Sequence, residues 1–188
     1  MKSIDSFICK PANGNRYENE RKIGGIDLIV NTSEESAAHS SREAEVIELP
    51  LRYEGDVKIG DILVVHHNVF KFYNRMDGSR SSGRSFFRDD LFLVDEEQYF
   101  AVISKEFGMR ARGRYCFVSP IHEENDSLHV GSVLPLHGIL RYPNDYLRAQ
   151  GLKKGDRVVF TPESEYEFNI DGSIMFRVFD HQIAAVYE

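Results

Sequence analysis

The sequence predicts an all-β protein, and two observations lead to that class. Short runs rich in Val, Ile, Phe and Tyr recur along all 188 residues, and turns such as Gly60-Asp61, Asp77-Gly78 and Gly155-Asp156 separate them. No long segment shows the 3.6-residue apolar period of a helix, and only residues 144–156 are expected to hold one short helical turn. Small barrels or sandwiches are the architectures that such strands build.

A third observation sets the architecture, because the sequence repeats itself. Five segments match in the same order: 7–11 with 116–120, 46–50 with 139–143, 57–65 with 152–160, 70–78 with 166–172, and 94–102 with 178–186. Ordered internal matches indicate a duplicated structural unit. We therefore expect two tandem small β-barrels, residues 1–104 and 113–188. The first copy carries extra residues between its first two matched segments and again near 76–90.

Composition and charge narrow the classes of function. Hydrophobic residues make up 41% and charged residues 28%, as in globular proteins. No apolar run approaches the roughly 20 residues of a membrane helix. The first ten residues lack a secretory apolar segment, so a cytoplasmic location is expected. The two cysteines fit a reducing compartment. A net charge of −7 argues against a nucleic-acid partner.

The extra residues of the first copy include an unusual stretch. Gly24 and Gly25 precede the apolar run Ile26-Asp27-Leu28-Ile29-Val30, and polar sequence rich in Ser, Glu and Asn flanks both sides. Such flanks are typical of a flexible loop, so residues 13–40 are expected to be mobile in the free protein. An apolar tip on a mobile loop indicates contact with a partner. The alternative is a buried strand in an ordinary barrel.

The order of these segments resembles the GroES-type co-chaperonin family. The resemblance rests on the G-G-I-x-L loop, on VKIGDILVV (57–65) and on the closing VFDHQIAAV (178–186). It implies that the loop docks its apolar triplet in a groove of a GroEL-type chaperonin, with Gly24 and Gly25 supplying backbone freedom. Ile26 and Leu28 would then be buried in the groove. Asp27 departs from the family's apolar residue, so a triplet Leu28-Ile29-Val30 stays open.

The same resemblance implies an assembly and a setting. The family forms a heptameric ring, so we expect a homo-oligomer closed by pairing a terminal strand with a neighbour's first strand. The chaperonin, not this chain, would bind ATP, and no cofactor is expected. The short segment 51–56 resembles roofless phage co-chaperonins, which implies a phage-encoded protein in the host cytoplasm and a bulky client such as a capsid protein. The alternative is a structural, virion-type protein without chaperonin binding.

The remaining candidate residues give weaker indications of function. Adjacent strand residues face opposite ways, so His66 and His67 are not expected to bind a metal together. Cys9 and Cys116 are expected to be buried small residues. No nucleophile–base grouping or phosphate loop is recognised, and catalysis is not expected. The stretch 75–88 (RMDGSRSSGRSFFR) is a solvated hairpin tip or a contact for nucleic acid or an acidic partner.

Overall fold

The computed structural model confirms the all-β class. It describes residues 2–17, 20–23, 26–29, 40–122, 133–170 and 172–187, and for 20–23 and 26–29 the description covers the backbone alone. The chain divides into two units, Met1–Gly108 (unit 1) and Met109–Glu188 (unit 2). Within the described ranges no helix is long and apolar enough to cross a membrane.

Where unit 1 is described, its strands form one large antiparallel sheet and two small ones. Its strands are β1 (Phe7–Pro11), β2 (Glu20–Ile23), β3 (Ile26–Ile29), β4 (Glu43–Glu48), β5 (Ile62–Val65), β6 (Phe72–Asn74), β7 (Arg80–Ser82), β8 (Phe86–Arg88), β9 (Leu91–Val94), β10 (Tyr99–Ser104) and β11 (Gly108–Ala111), the last spanning the division between the units. A 3₁₀ helix, Glu96–Gln98, precedes β10. The large sheet has the order β11-β10-β5-β4-β1-β9-β8, while β2 pairs with β3 and β6 with β7.

In the described residues of unit 2, six strands form one sheet, accompanied by a short α-helix. Its elements are β12 (Tyr115–His122), β13 (Val133–Tyr142), α1 (Asp145–Ala149), β14 (Arg157–Phe160), β15 (Tyr166–Ile170), β16 (Ser173–Phe179), a 3₁₀ helix (Asp180–Gln182) and β17 (Ile183–Val186). The strand order is β15-β16-β12-β13-β14-β17. The α1 helix lies within the predicted helical stretch, and Asn144 caps it by accepting the Leu147 N–H at 2.9 Å.

The two units share a strand order, as the sequence repeat predicts. The run β8-β9-β1-β4-β5-β10 of unit 1 corresponds strand by strand to β15-β16-β12-β13-β14-β17 of unit 2. Hydrogen bonds repeat as well: Gly60 N–H donates to Val46 C=O, and Gly155 N–H donates to Leu140 C=O, both at 2.8 Å. These contacts align Val46 with Leu140, so the sequence match of 46–50 with 139–143 is wrong by one residue.

The match of 70–78 with 166–172 is also wrong in its strand assignment. Strand β15 occupies the sheet position that β8 occupies in unit 1. Strand β6 instead pairs with β7, in the register Phe72 to Ser82 and Asn74 to Arg80. The late extra residues of the first copy therefore form a hairpin, β6–β7, inserted between β5 and β8.

Each unit buries its own core. In unit 1, Phe7, Val46, Leu63 and Phe92 are fully buried. In unit 2 the core includes Cys116, Val118, Leu140, Leu147, Val158, Phe160 and Val178. Cys9 and Cys116 are both fully buried free thiols, which confirms the prediction for them. Burial raises the pKa of Cys116 to about 12 and also raises the pKa of Cys9, so neither is a ready thiolate.

The edges of the sheets bear on the expected ring. Strand β1 lies between β4 and β9, and Ile8 pairs with both Glu48 and Leu93. Both edges of β1 are therefore paired within the chain. The expected ring contact, in which a terminal strand pairs with a neighbour's first strand, stays a prediction. Strands β8 and β11 end one large sheet, and β15 and β17 end the other.

Candidate functional site

The candidate loop is the connection between β1 and β4, residues 12–42. The corresponding connection of unit 2, between β12 and β13, has only residues 123–132. Within the longer connection β2 and β3 form a hairpin, in which Lys22 stands opposite Asp27 and Ile23 opposite Ile26. Of the predicted docking residues, Ile26, Asp27, Leu28 and Ile29 form β3, whereas Gly24, Gly25 and Val30 lie outside the described residues.

The two ends of this connection meet at a neck. Tyr17 and Ser40 form an antiparallel bridge, and the Ser41 N–H donates to the Arg16 carbonyl at 2.9 Å. Tyr17, Ser40 and Ser41 are buried. The predicted flexible span of 13–40 therefore has anchored residues at both ends.

Arg16 joins the neck to the inserted hairpin. Its Nε donates to the Phe70 carbonyl at 2.9 Å, and its Nη1 donates to Ser82 Oγ at 3.1 Å. The guanidinium carbon lies 3.6 Å from the centre of the Phe72 ring and 4.8 Å from that of Phe92. Burial lowers the pKa of Arg16, yet the aromatic faces and the carbonyl suit a cation. One side chain thus ties the loop to β6, β7 and β9.

Tyr17 and Ser40 complete the neck through hydrogen bonds to backbone groups. The Tyr17 hydroxyl accepts the Phe72 N–H at 2.7 Å, and the two rings stack at 6.0 Å with 13° between their planes. Ser40 Oγ donates to the His67 carbonyl at 2.9 Å. The ends of the connection are therefore held close together before any partner arrives. The connection is therefore a loop with fixed ends and an apolar sequence between them.

The histidine pair differs from its prediction. The chain has left β5 at His66, so strand alternation does not apply, and the rings of His66 and His67 lie side by side with centres 4.1 Å apart. Burial, followed by the neighbouring charges of His66, Arg42 and Lys71, lowers the pKa of His67 to about 4. Across the described ranges, no group of three or more His, Cys, Asp or Glu residues could hold a metal ion.

A polar cavity in unit 1 was not predicted from the sequence. Its volume is about 710 Å³, and Asn68, Ser81, Ser82, Arg84 and Gln98 are part of its lining. Serine and amide side chains with an arginine form a surface that both donates and accepts hydrogen bonds. The only sequence signal was the serine-rich run between arginines in residues 79–85, which is also typical of a solvated turn.

The structure defines the class of the protein as an all-β chain of two units with one strand order. A scan against protein-family models matched no family, and a search of characterised proteins gave no significant match.

Proposed function

We propose that this protein is a co-chaperonin, which caps a GroEL-type chaperonin ring and encloses a folding chamber for client proteins. The observation that carries the proposal is the long connection of unit 1, which is anchored at its neck and contains the Gly-Gly-Ile-x-Leu sequence at residues 24–28. That sequence, in that place between the first two strands of the large sheet, resembles the mobile loop of GroES-type proteins. Unit 2 has a much shorter connection there.

The energetics suit a reversible cap. Burial of an Ile or Leu side chain contributes roughly 1.5–3 kcal/mol. Ordering a residue of a flexible loop costs about 1–2 kcal/mol, and the fixed neck lowers only the part of that cost due to loop closure. A single loop therefore binds weakly. A heptameric ring of this chain would present several loops at once and make the later contacts intramolecular.

Both candidate docking triplets contain Leu28, which lies in β3 together with Ile26 and Asp27. Ile26-Asp27-Leu28 and Leu28-Ile29-Val30 both stay open, and a change at Leu28 tests either one.

The short connection after β4 supports a wide dome. Residues 49–61, all described, contain no strand between β4 and β5, and hence no roof hairpin. A roofless ring leaves more room for a client, which fits a bulky protein such as a capsid protein and a phage-encoded cap acting in the host cytoplasm. In this role the chain needs no catalytic residue, and the chaperonin binds the ATP.

The test compares two leucines of unit 1. Leu28→Asp places a charge in the proposed contact, whereas Leu51→Asp makes the same change at a side chain that is 61% exposed. Each variant is mixed with a GroEL-type chaperonin and ATP, and capped rings are counted by negative-stain electron microscopy. We expect Leu51→Asp to cap normally and Leu28→Asp to lose capping, because each loop loses roughly 1.5–3 kcal/mol of burial and meets an apolar groove with a charge.

Two further measurements complete the test. Native mass spectrometry should give the same ring mass for both variants, and Asp27→Val should tighten binding if Ile26-Asp27-Leu28 is the docking triplet. A Leu28→Asp protein that still caps the chaperonin contradicts the proposal. A Leu28→Asp protein that unfolds identifies Leu28 as core and supports the alternative, a virion-type structural protein.

A further inference from the structure

A basic strip stands out on an acidic protein. Residues 71–88 contain five cations and one carboxylate, Asp77, although the whole chain has a net charge of −7. Arg75, Arg80, Arg84 and Arg88 are all exposed. A local positive surface on a negative protein attracts anionic partners to one place and disfavours them elsewhere.

Exposed rings accompany these cations. Tyr73, Phe86 and Phe87 are 38%, 37% and 39% exposed. The Lys71 ammonium lies 5.5 Å from the centre of the Tyr73 ring, and the Arg88 guanidinium lies 5.5 Å from that of Phe87. Exposed aromatic residues mark interaction surfaces, and cations beside them give such a surface a preference for negative groups.

The polar cavity adjoins this strip. Its volume of about 710 Å³ falls within the size of ligand sites, about 300–1,000 Å³. Ser81, Ser82 and Arg84 of the strip line it together with Asn68 and Gln98. Hydroxyl and amide groups both donate and accept, which matches a peptide backbone with one donor and one acceptor per residue.

The strands of the strip also offer backbone edges. Strand β7 pairs with β6 in a two-stranded sheet, and β8 is the end strand of the large sheet. Ser81 and Ser82 belong to β7 and line the cavity. Edge strands beside a groove accept an extended peptide as an additional strand, with side-chain contacts setting the preference.

We propose that the basic strip, residues 71–88, together with the adjoining cavity, binds an acidic polypeptide segment in extended conformation. Its carboxylates pair with the arginines, its backbone lies along β7 and the hydroxyl groups, and its apolar side chains meet the exposed rings. The inference goes beyond chaperonin binding, because residues 24–30 take no part in it.

Three carboxylates favour a polypeptide over a nucleic acid. Asp77 lies at the hairpin turn, and Asp95 and Glu97 line the cavity. A nucleic-acid strand carries a charge at every phosphate, so its backbone would meet these carboxylates wherever it crossed the face. A peptide can place acidic side chains against the arginines and neutral or basic ones against the carboxylates.

The binding test uses the full-length protein and labelled probes in fluorescence anisotropy. The probe is a peptide of alternating glutamate and threonine, about ten residues long, the upper length of an ordinary strand. Its matched control replaces every glutamate with glutamine, and an oligothymidylate of similar length tests the other polyanion. We expect the acidic peptide to bind with an affinity that falls as salt rises, and the neutral peptide to bind about tenfold more weakly.

Paired variants locate the site. Arg84→Glu with Arg88→Glu should weaken acidic-peptide binding by about tenfold or more, since two attractive charges become repulsive. Arg52→Glu with Lys105→Glu makes the same change in net charge at exposed residues of unit 1 outside the strip, and should change binding by less than about twofold. Circular dichroism checks that both proteins remain folded.

Each contrary result overturns the proposal. Tighter binding of oligothymidylate than of the acidic peptide identifies a nucleic-acid surface instead. Equal binding of the two peptides would show that the site does not recognise charge. Equal weakening by the two double variants would show that only the net charge of the protein matters. Failure of the acidic peptide to bind the folded wild-type protein at low salt contradicts the site directly.

Discussion

Both units contain the same 3₁₀ turn, here called the corner, and stabilise it with different side chains. Before β10 and before β17, a glutamine closes a 3₁₀ turn: Gln98 Oε1 accepts the Asp95 N–H at 3.0 Å, and Gln182 Oε1 accepts the Phe179 N–H at 2.9 Å. The residues that begin these two 3₁₀ helices differ. Glu96 is exposed in unit 1, whereas Asp180 is buried in unit 2.

Asp180 is the centre of a buried polar latch. Arg114 Nη2 donates to its Oδ1 at 2.7 Å, Arg114 Nε donates to the same oxygen at 3.0 Å, and Asn144 Nδ2 donates to Oδ2 at 2.9 Å. Burial alone raises the pKa of Asp180, but the hydrogen bonds from Arg114 and Asn144 outweigh it and the pKa is lowered. Asn144 also caps α1, so the latch joins the start of unit 2 to its helix.

The comparison of the two units shows which structural features they share and which differ. Strand order and the glutamine hydrogen bonds of the two 3₁₀ turns are common to both units. The connections differ. Unit 1 has a long loop with an anchored neck and an inserted hairpin, β6–β7, and unit 2 has a helix and an ion pair between the exposed Arg114 and the buried Asp180. Binding surfaces are accordingly proposed for unit 1.

The largest effect is expected from the latch. Asp180→Asn should lower the stability of unit 2 by about 2 kcal/mol, because it removes the charge of a buried, hydrogen-bonded ion pair whose partner Arg114 stays partly in water. Glu96→Gln, the corresponding change in unit 1, should cost less than about 0.5 kcal/mol, as is usual for an exposed residue. Hydrogen exchange read by mass spectrometry separates the units.

Protection should fall in β12, β13 and α1 of the Asp180→Asn protein and stay unchanged in β4 and β5. An equal loss in both units would mean that they do not unfold separately. An equal cost for Glu96→Gln and Asp180→Asn would remove the contrast between the two corners.

The neck of unit 1 is expected to give the next largest effect. Arg16→Met keeps an apolar stem but removes two hydrogen bonds and the stacking on Phe72, and should cost about 1.5 kcal/mol. Exchange should quicken in residues 40–48 and 67–72 and not in unit 2. Tyr17→Phe, which loses the hydroxyl that accepts the Phe72 N–H, should cost about 1 kcal/mol in the same segments. The reverse order of the two variants would contradict the role given to Arg16.

The strands were predictable from sequence because their signals are local. Apolar runs, Gly-Asp turns and their order recur in both copies, and the all-β class and the shared strand order follow from them. The match of 70–78 with 166–172 was wrong because an aromatic run followed by Asp-Gly is common to many hairpins. The expectation that His66 and His67 face opposite ways was wrong because the pattern does not show that the strand ends at Val65.

The neck and the latch could not be predicted, because their partners are far apart in sequence. Arg16 lies in a stretch that is typical of a solvated loop, and its contacts are with Phe70, Phe72 and Ser82. Asp180 is one acidic residue among many, and only the fold brings Arg114 and Asn144 to it. Local patterns predict elements, whereas these sites depend on long-range contacts.

A matched pair of glycines should affect the two units equally. Gly60 has φ +89° and Gly155 has φ +102°, and a Cβ at either position would meet no atom within 4 Å. The cost of Gly→Ala is therefore backbone strain alone, about 1 kcal/mol at each site. Chemical denaturation of Gly60→Ala and Gly155→Ala, read by unit-resolved exchange, should show the same loss in unit 1 and unit 2 respectively. Unequal losses would mean that the shared turn is not equally rigid in both copies.

The smallest effect is expected from pH, and it separates the units by the pH window in which stability is lost. The pKa of His67 falls from 6.5 to about 4 on folding, so the unfolded chain binds the proton more readily between these values. Stability of unit 1 is then complete above pH 6.5 and decreases as pH falls toward 4. Because His67 is partly exposed, the loss should be below about 1 kcal/mol. Asp180, with a pKa lowered from 3.8, keeps its charge through this window.

The measurement is unit-resolved hydrogen exchange at pH 7 and pH 4.5, corrected for the intrinsic pH dependence of exchange. Unit 1 should lose protection near β5 relative to unit 2 in the wild-type protein. His67→Gln removes the titrating ring but leaves the backbone carbonyl that Ser40 Oγ contacts, so this relative loss should shrink. If the His67→Gln protein shows the same acid sensitivity in unit 1 as the wild type, another group controls it and His67 has no part in the difference between the units.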